Sequence, residues 1–186
     1  MTWHEKGLVG WGFNDIPATR EMEMLAEEFC YMFSTFLTTP LKLEMYRRTG
    51  DISVTLESIG LLPAIVKQHG YADQPLTVLG KCRVRKMSGF LIEELDIPGD
   101  GYDFSISVGL DDEGYHFVTL TLYSDEWFND DTDPEWLKVF NNCLSEAARV
   151  LGAGDVVADC LEPGIDNLVD DSGFSSQMFG KLDSQQ

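Results

Sequence analysis

One acidic segment, residues 124–136, holds the densest group of side chains that could bind a partner or act in catalysis. Six carboxylates alternate there with three aromatic side chains: Asp125, Glu126, Trp127, Phe128, Asp130, Asp131, Asp133, Glu135 and Trp136. Carboxylates attract Lys and Arg, and aromatic rings supply large contact area, so the segment fits a binding site for a basic protein. The alternative is a solvated loop that caps a helix and turns its aromatic rings into the core. Both interpretations stay open.

A second acidic set lies on or beside the predicted strands: Glu93, Glu94, Asp96, Asp100, Asp103, Asp111, Asp112 and Glu113. We treat Asp100, Asp103 and the 111–113 triplet as a secondary acidic surface for the same partner. Two carboxylates can hydrolyse a glycoside when they face a sugar at a defined separation, but nothing singles out a pair here. A hydrolase, kept as an alternative, would use Asp100, Asp103, Asp125 and Glu126.

Other reactive motifs are missing from the sequence. The alternation of Asn129, Asp131, Asp133 and Glu135 lacks the Gly and final Glu of a calcium-binding EF-hand loop. Four separated cysteines show no zinc-ligand spacing, and their apolar surroundings predict buried, reduced thiols. No nucleophile elbow, zinc-protease or Walker motif occurs. We expect neither metal nor cofactor, and a protein that is not an enzyme.

The elements that position these residues follow from apolar periodicity. Helical spacing predicts a helix from Thr19 to about Thr38, and Asp133-Pro134 predicts the start of another that runs to Leu151. The glycine-rich stretch 7–12 is predicted to be a flexible or tightly turned segment. Strands are predicted over 41–48, 52–59, 76–86, 90–97 and 156–161, with an antiparallel hairpin over 102–123.

This order of elements is typical of the α+β class. We predict a single domain over residues 1–165, a mostly antiparallel sheet of five to seven strands with two main helices packed on one face. Residues 166–186 are predicted to form a loosely attached or mobile tail.

Charge is distributed unevenly along the chain. Residues 1–86 carry ten acidic and ten basic side chains, whereas residues 87–186 carry 22 acidic and three basic ones, which gives the net charge of −19. Such a field repels nucleic acid and anionic lipid and attracts basic proteins. The main basic stretch, Lys81 to Lys86, is predicted to pair with the acidic strand at 93–96 or to contact a second copy in a homodimer.

With no leader or long apolar segment in the sequence, we expect a cytoplasmic protein without membrane contact.

These features predict an acidic binding protein that neutralises a basic partner. Its most concrete form is a bacterial immunity protein or an inhibitor of a toxin enzyme, because enzymes that act on nucleic acid carry basic clefts. The alternatives are an acidic chaperone or adaptor for a secreted effector, a mimic of nucleic-acid phosphates and the carboxylate-based hydrolase.

Overall fold

A computed structural model describes residues 9–45, 50–70, 75–88, 91–96, 102, 104–122 and 132–160. The α+β class is confirmed. Three helices accompany the sheet: α1 (Met22–Met32), α2 (Leu62–Gln68) and α3 (Pro134–Leu151). The strands are β1 (Val9–Ile16), β2 (Leu37–Met45), β3 (Ile52–Leu56), β4 (Leu76–Ser88), β5 (Leu91–Asp96), β6 (Phe104–Leu110), β7 (His116–Leu122) and β8 (Asp155–Cys160).

All described strand pairs are antiparallel, in the order β3-β2-β4-β6-β7-β1-β8, and β5 pairs with the C-terminal part of β4. The register aligns one inward row across five strands: Leu43, Val78, Ile106, Leu120 and Trp11. Every member of this row is fully buried. Because alternate residues of a strand point to opposite faces, the row marks the face that carries the core.

Aromatic rings join the helices to this face. Phe13 of β1 contacts Phe29 of α1 at 5.3 Å between ring centroids, and Trp11 contacts Phe140 of α3 at 5.6 Å. Phe33 lies 5.6 Å from Phe140, so the two helices also meet each other. Trp11 and Phe13 are on the same side of β1, and both helices therefore pack on one face of the sheet, as predicted.

The prediction for the N-terminal glycine-rich stretch was wrong. Residues 9–16 form β1, which is paired with β7 on one side and β8 on the other. Glycine at positions 10 and 12 occupies the outward positions, while Trp11 and Phe13 are buried. An alternation of apolar residues with glycine lacks the polar side chains that usually mark a half-buried strand. The two-residue period of β1 was therefore not recognised in the sequence.

The first helix is shorter than predicted. It begins after Glu21, with no side-chain cap from Thr19, and ends at Met32; a 3₁₀ turn, Ser34–Phe36, leads directly into β2. Phe33 and Phe36 continue the helical spacing of apolar residues beyond α1, and both side chains are buried in the core. The short helix α2, with Pro63 in its first turn, was not predicted.

The predicted burial is confirmed for Cys30 and Cys82, which are free and buried, whereas Cys143 is free and only half-buried. The side chain of Cys160 lies outside the described part of the chain. Burial raises the pKa of the Cys30 thiol to about 12, since a thiolate would lose its hydration there. No helix among the described residues is long and apolar enough to span a membrane.

Glu23, on the first turn of α1, is only 1% exposed. Its pKa is raised from the ordinary 4.5, first by burial and then by the neighbouring Glu21, although Lys67 acts in the opposite direction. Folding therefore favours the uncharged acid, and stability is lost as the pH rises above the pKa of the unfolded chain. We expect Glu23→Gln to be more stable than wild type at pH 7, with a smaller gain at pH 4.5, in urea denaturation. A gain that is equal at both pH values would contradict this explanation.

Candidate functional site

One end of the sheet gathers the acidic segments of the chain. The register aligns Phe104 with Leu122, Leu122 with Val9, and Val9 with Cys160. β6 begins in this row, whereas β7 and β8 end there. We call this row, Val9, Phe104, Leu122 and Cys160, the loop end of the sheet. Three segments that join the sheet here lie outside the described residues, apart from Tyr102: 97–103, 123–131 and 161–186.

These three segments carry eleven carboxylates and a single basic side chain, Lys181. The carboxylates are Asp100, Asp103, Asp125, Glu126, Asp130, Asp131, Glu162, Asp166, Asp170, Asp171 and Asp183. The segment before Val9 adds one acidic and one basic residue. Although the acidic segments are far apart in sequence, the strand order attaches them all to one row.

The second acidic site, residues 111–113, lies at the other end of the β6–β7 hairpin. Asp111 organises this turn, because its Oδ1 accepts the backbone N–H groups of Glu113 at 2.8 Å and Tyr115 at 2.9 Å. Asp112 and Glu113 are exposed. Six residue steps separate this turn from the loop end, a distance of about 20 Å. The 111–113 triplet therefore lies at the opposite end of the β6–β7 hairpin from the row of Phe104 and Leu122.

The basic stretch of β4 lies on an arm that extends past the loop end. Gly80 is aligned with Phe104, and residues 83–88 continue past this row and pair with β5 instead. The register sets Arg83 opposite Asp96, Arg85 opposite Glu94 and Lys86 opposite Glu93. Oppositely charged positions thus face each other along the arm. The predicted pairing of this basic stretch with the acidic strand is confirmed at the level of strand register.

The C-terminal end of the acidic loop, residues 123–131, is fixed to this arm. Thr132 forms a bridge with Lys86, whose buried Nζ donates a hydrogen bond to Thr132 Oγ1 at 2.9 Å. The Asp133 N–H donates to the Arg85 carbonyl oxygen at 2.9 Å, and Arg85 Nη1 lies 3.8 Å from Asp133 Oδ2. The N-terminal end of the loop is held by Leu122 in the sheet. Both ends of the acidic loop are therefore anchored.

Asp133 and Glu135, two residues of the predicted partner site, differ in accessibility. Asp133 is 4% exposed and caps α3, since its Oδ1 accepts the Glu135 N–H at 3.1 Å. Glu135 is exposed. Asp133 is thus engaged by its own chain. The other predicted partner-site residues, Asp125, Glu126, Trp127, Phe128, Asp130 and Asp131, lie outside the described residues, as do Asp100 and Asp103.

Sequence reasoning missed Thr132 and the inward position of Lys86. Lys81, Arg83 and Arg85 alternate along the strand, which indicated that they share one outward face. Lys86 falls on the opposite, core-facing set of positions. A lysine there needs a buried hydrogen-bond acceptor, so its position in the sequence could have predicted a contact such as the one with Thr132. In the part of the chain that the structure describes, no group of three or more His, Cys, Asp or Glu side chains could hold a metal ion.

Comparison with protein-family models, with curated protein sequences and with solved structures found no match to this chain.

Asp133→Ala is expected to lower the free energy of unfolding by about 1–2 kcal/mol, because the substitution removes the cap of α3 and the partner of Arg85. Asp133→Asn is the matched control, since the amide oxygen still accepts the Glu135 N–H while the charge is lost. We expect the Asn variant to lose less than half as much in urea denaturation. Equal losses would show that the charge, and not the cap, accounts for the stabilisation.

Proposed function

We propose that this chain is an acidic protein-binding module that neutralises a basic protein partner, most concretely a bacterial immunity protein or inhibitor of a toxin enzyme. The single observation that carries the proposal is the strand register at the loop end, where the strands that flank three acidic segments of the sequence begin or end in one row. A binding surface of one sign attracts a partner of the other sign before contact and speeds association. The same field repels nucleic acid, which leaves a basic protein as the partner.

The ion pairs within the chain support this proposal. Basic side chains of the described residues pair with the chain's own acids: Arg20 with Glu28, Lys42 with Glu44, Lys67 with Glu21, Arg85 with Asp133, and Arg149 with Glu146. Acidic residues outnumber basic ones 32 to 13, so internal pairing leaves a large negative excess. The segments at the loop end hold much of that excess, and a basic partner would neutralise it.

A toxin that cleaves nucleic acid is the partner class that this charge fits best. Such an enzyme binds phosphates through a cleft lined with Lys and Arg. An inhibitor that covers the cleft with carboxylates replaces the phosphates and blocks access of the substrate. Aromatic residues within the acidic loop, Trp127 and Phe128, would supply the apolar contact that slows dissociation.

The acidic end is tested by reversing charge at two matched sites. Asp125→Lys with Glu126→Lys alters the acidic loop, and Asp112→Lys with Glu113→Lys makes the same change in net charge at the opposite end of the hairpin. The partner is isolated by a low-salt pull-down from the source organism, and association is measured by surface plasmon resonance at 50 mM salt. We expect the loop variant to associate at least about tenfold more slowly and the turn variant less than about twofold. Equal slowing by both variants would contradict a localised site.

Trp127 is expected to act on dissociation. Removal of a buried interface aromatic costs about 2 kcal/mol or more, so Trp127→Ala should raise the dissociation rate about 30-fold with little change in the association rate. Tyr115→Ala is the control, because Tyr115 is an exposed aromatic residue beside the turn at the other end of the hairpin. A normal dissociation rate for Trp127→Ala would remove the acidic loop from the interface.

A further inference from the structure

β8 is an edge strand of the sheet. It pairs with β1 on one side, and no described residue pairs with its other side. The other strands with an open side in the described chain are β3 and β5. An open edge presents a row of backbone N–H and C=O groups that can accept a further strand.

The charges on β8 differ from those on the other two edges. The acidic positions of β5 lie opposite Arg83, Arg85 and Lys86. β3 carries no charged residue. On β8, by contrast, Asp155 lies opposite Asn14 and Asp159 lies opposite Gly10. Of the edges described, β8 is the one whose acidic positions face no basic position on the neighbouring strand, and it therefore suits a basic segment.

The outward face beside β8 is also open. Asp155 and Val157 are exposed, and Val157, at 48% exposure, is aligned with Gly12 of β1. Neither Gly10 nor Gly12 has a positive φ. A Cβ at Gly12 would meet only Asn14 Nδ2 at 3.5 Å, and one at Gly10 would come no closer than 3.6 Å to its neighbours. No described contact therefore requires glycine at either position.

Two other strand glycines have a clear structural reason. A Cβ at Gly109 would lie 2.4 Å from the Phe117 ring, and one at Gly80 would lie 2.6 Å from Leu41 Cδ2. Glycine inside a strand weakens it and often marks the close approach of a ligand or another backbone. Gly10 and Gly12 lack an internal reason of this kind, and they lie on β1, the strand next to the edge strand β8.

We propose that the β8 edge binds an extended segment of the basic partner as an added strand. The segment would carry Lys or Arg opposite Asp155 and Asp159, and a large apolar side chain opposite Val157. That apolar side chain would pack against Val157, which is exposed on the outward face of β8. This proposal rests on the proposed function and adds a second contact, which gives the partner's sequence a recognisable pattern of basic, apolar and basic residues at alternate positions.

A second copy of the chain is a poor occupant of this edge. Antiparallel pairing of two β8 strands about Val157 would set Asp155 of each copy opposite Asp159 of the other. Like charges directly opposite each other destabilise a strand pair. The edge therefore disfavours self-association and favours a basic segment.

The edge is tested with short peptides and the full chain, observed by two-dimensional NMR. The probe is acetyl-Thr-Lys-Thr-Leu-Thr-Lys-Thr-amide. One control has Glu in place of both Lys residues. The other keeps both Lys residues but has Pro in place of every Thr, which removes backbone donors. We expect the first peptide to shift the amide signals of β8 and β1 in a saturable manner, and both controls to bind at least fivefold more weakly.

Two sets of variants separate strand addition from general charge attraction. Asp155→Lys with Asp159→Lys should reverse the preference, so that the Glu peptide binds better than the Lys peptide. Val157→Thr should weaken binding at least fivefold without lowering Tm, because it replaces an exposed methyl group of β8 by a hydroxyl of similar size. In the control variant Gly109→Ala, the added Cβ meets the Phe117 ring, so Tm should fall by at least about 2 °C while peptide binding, measured on the folded variant, is retained.

Several results would overturn the edge proposal. Equal binding of the Pro peptide would mean charge attraction alone. Protection of the β8 amides from hydrogen exchange in the free chain would mean that residues 161–186 or a second copy already cover the edge. If the edge variants bind the captured basic protein normally while the acidic-loop variant does not, the edge proposal fails and the proposed function stands. If neither set weakens binding, both fail.

Discussion

Packing of aromatic rings between α1, α3 and β1 positions the rest of the molecule. Phe140 contacts Trp11, Phe33, Phe36 and Trp136, with ring centroids 5.0–5.9 Å apart. Trp136 lies in the first turn of α3, so this contact places the start of the helix. Because Asp133 caps that start and contacts Arg85, the cluster also determines where the acidic loop returns to the sheet.

This core must also offset the cost of charge. A net charge of −19 on 186 residues repels itself and opposes compact folding. The chain reduces the repulsion by setting β5 against the basic arm of β4 and by pairing Arg20 with Glu28 and Arg149 with Glu146. The acidic segments at the loop end have few such basic residues of their own.

The parts of the fold that sequence predicted carry strong local signals. Asp133-Pro134 and the apolar face of α3 define that helix, and alternation with a turn defines the β6–β7 hairpin. β1 was not predicted, because glycine stands at outward positions where polar residues usually mark a strand. The predicted first helix ran past Met32, the end of α1, because Phe33 and Phe36 continue the helical spacing of apolar residues through the following 3₁₀ turn. The acidic loop was recognisable from composition. The attachment of three acidic segments to one row depends on pairing between distant strands, and no local pattern encodes it. The identity of the partner of Lys86, Thr132, also depends on a contact between distant residues, although the core-facing parity of Lys86 was visible in the sequence.

Whether a basic partner binds at the loop end is tested most directly by zero-length carbodiimide cross-linking of the complex, followed by mass spectrometry. This reagent joins a carboxylate to a lysine only where the two are in contact. We predict links from partner lysines to carboxylates of 97–103, 123–131 and 161–186, with few to Asp112 or Glu113. Links concentrated at Asp112 and Glu113, with none at the loop end, would contradict the account.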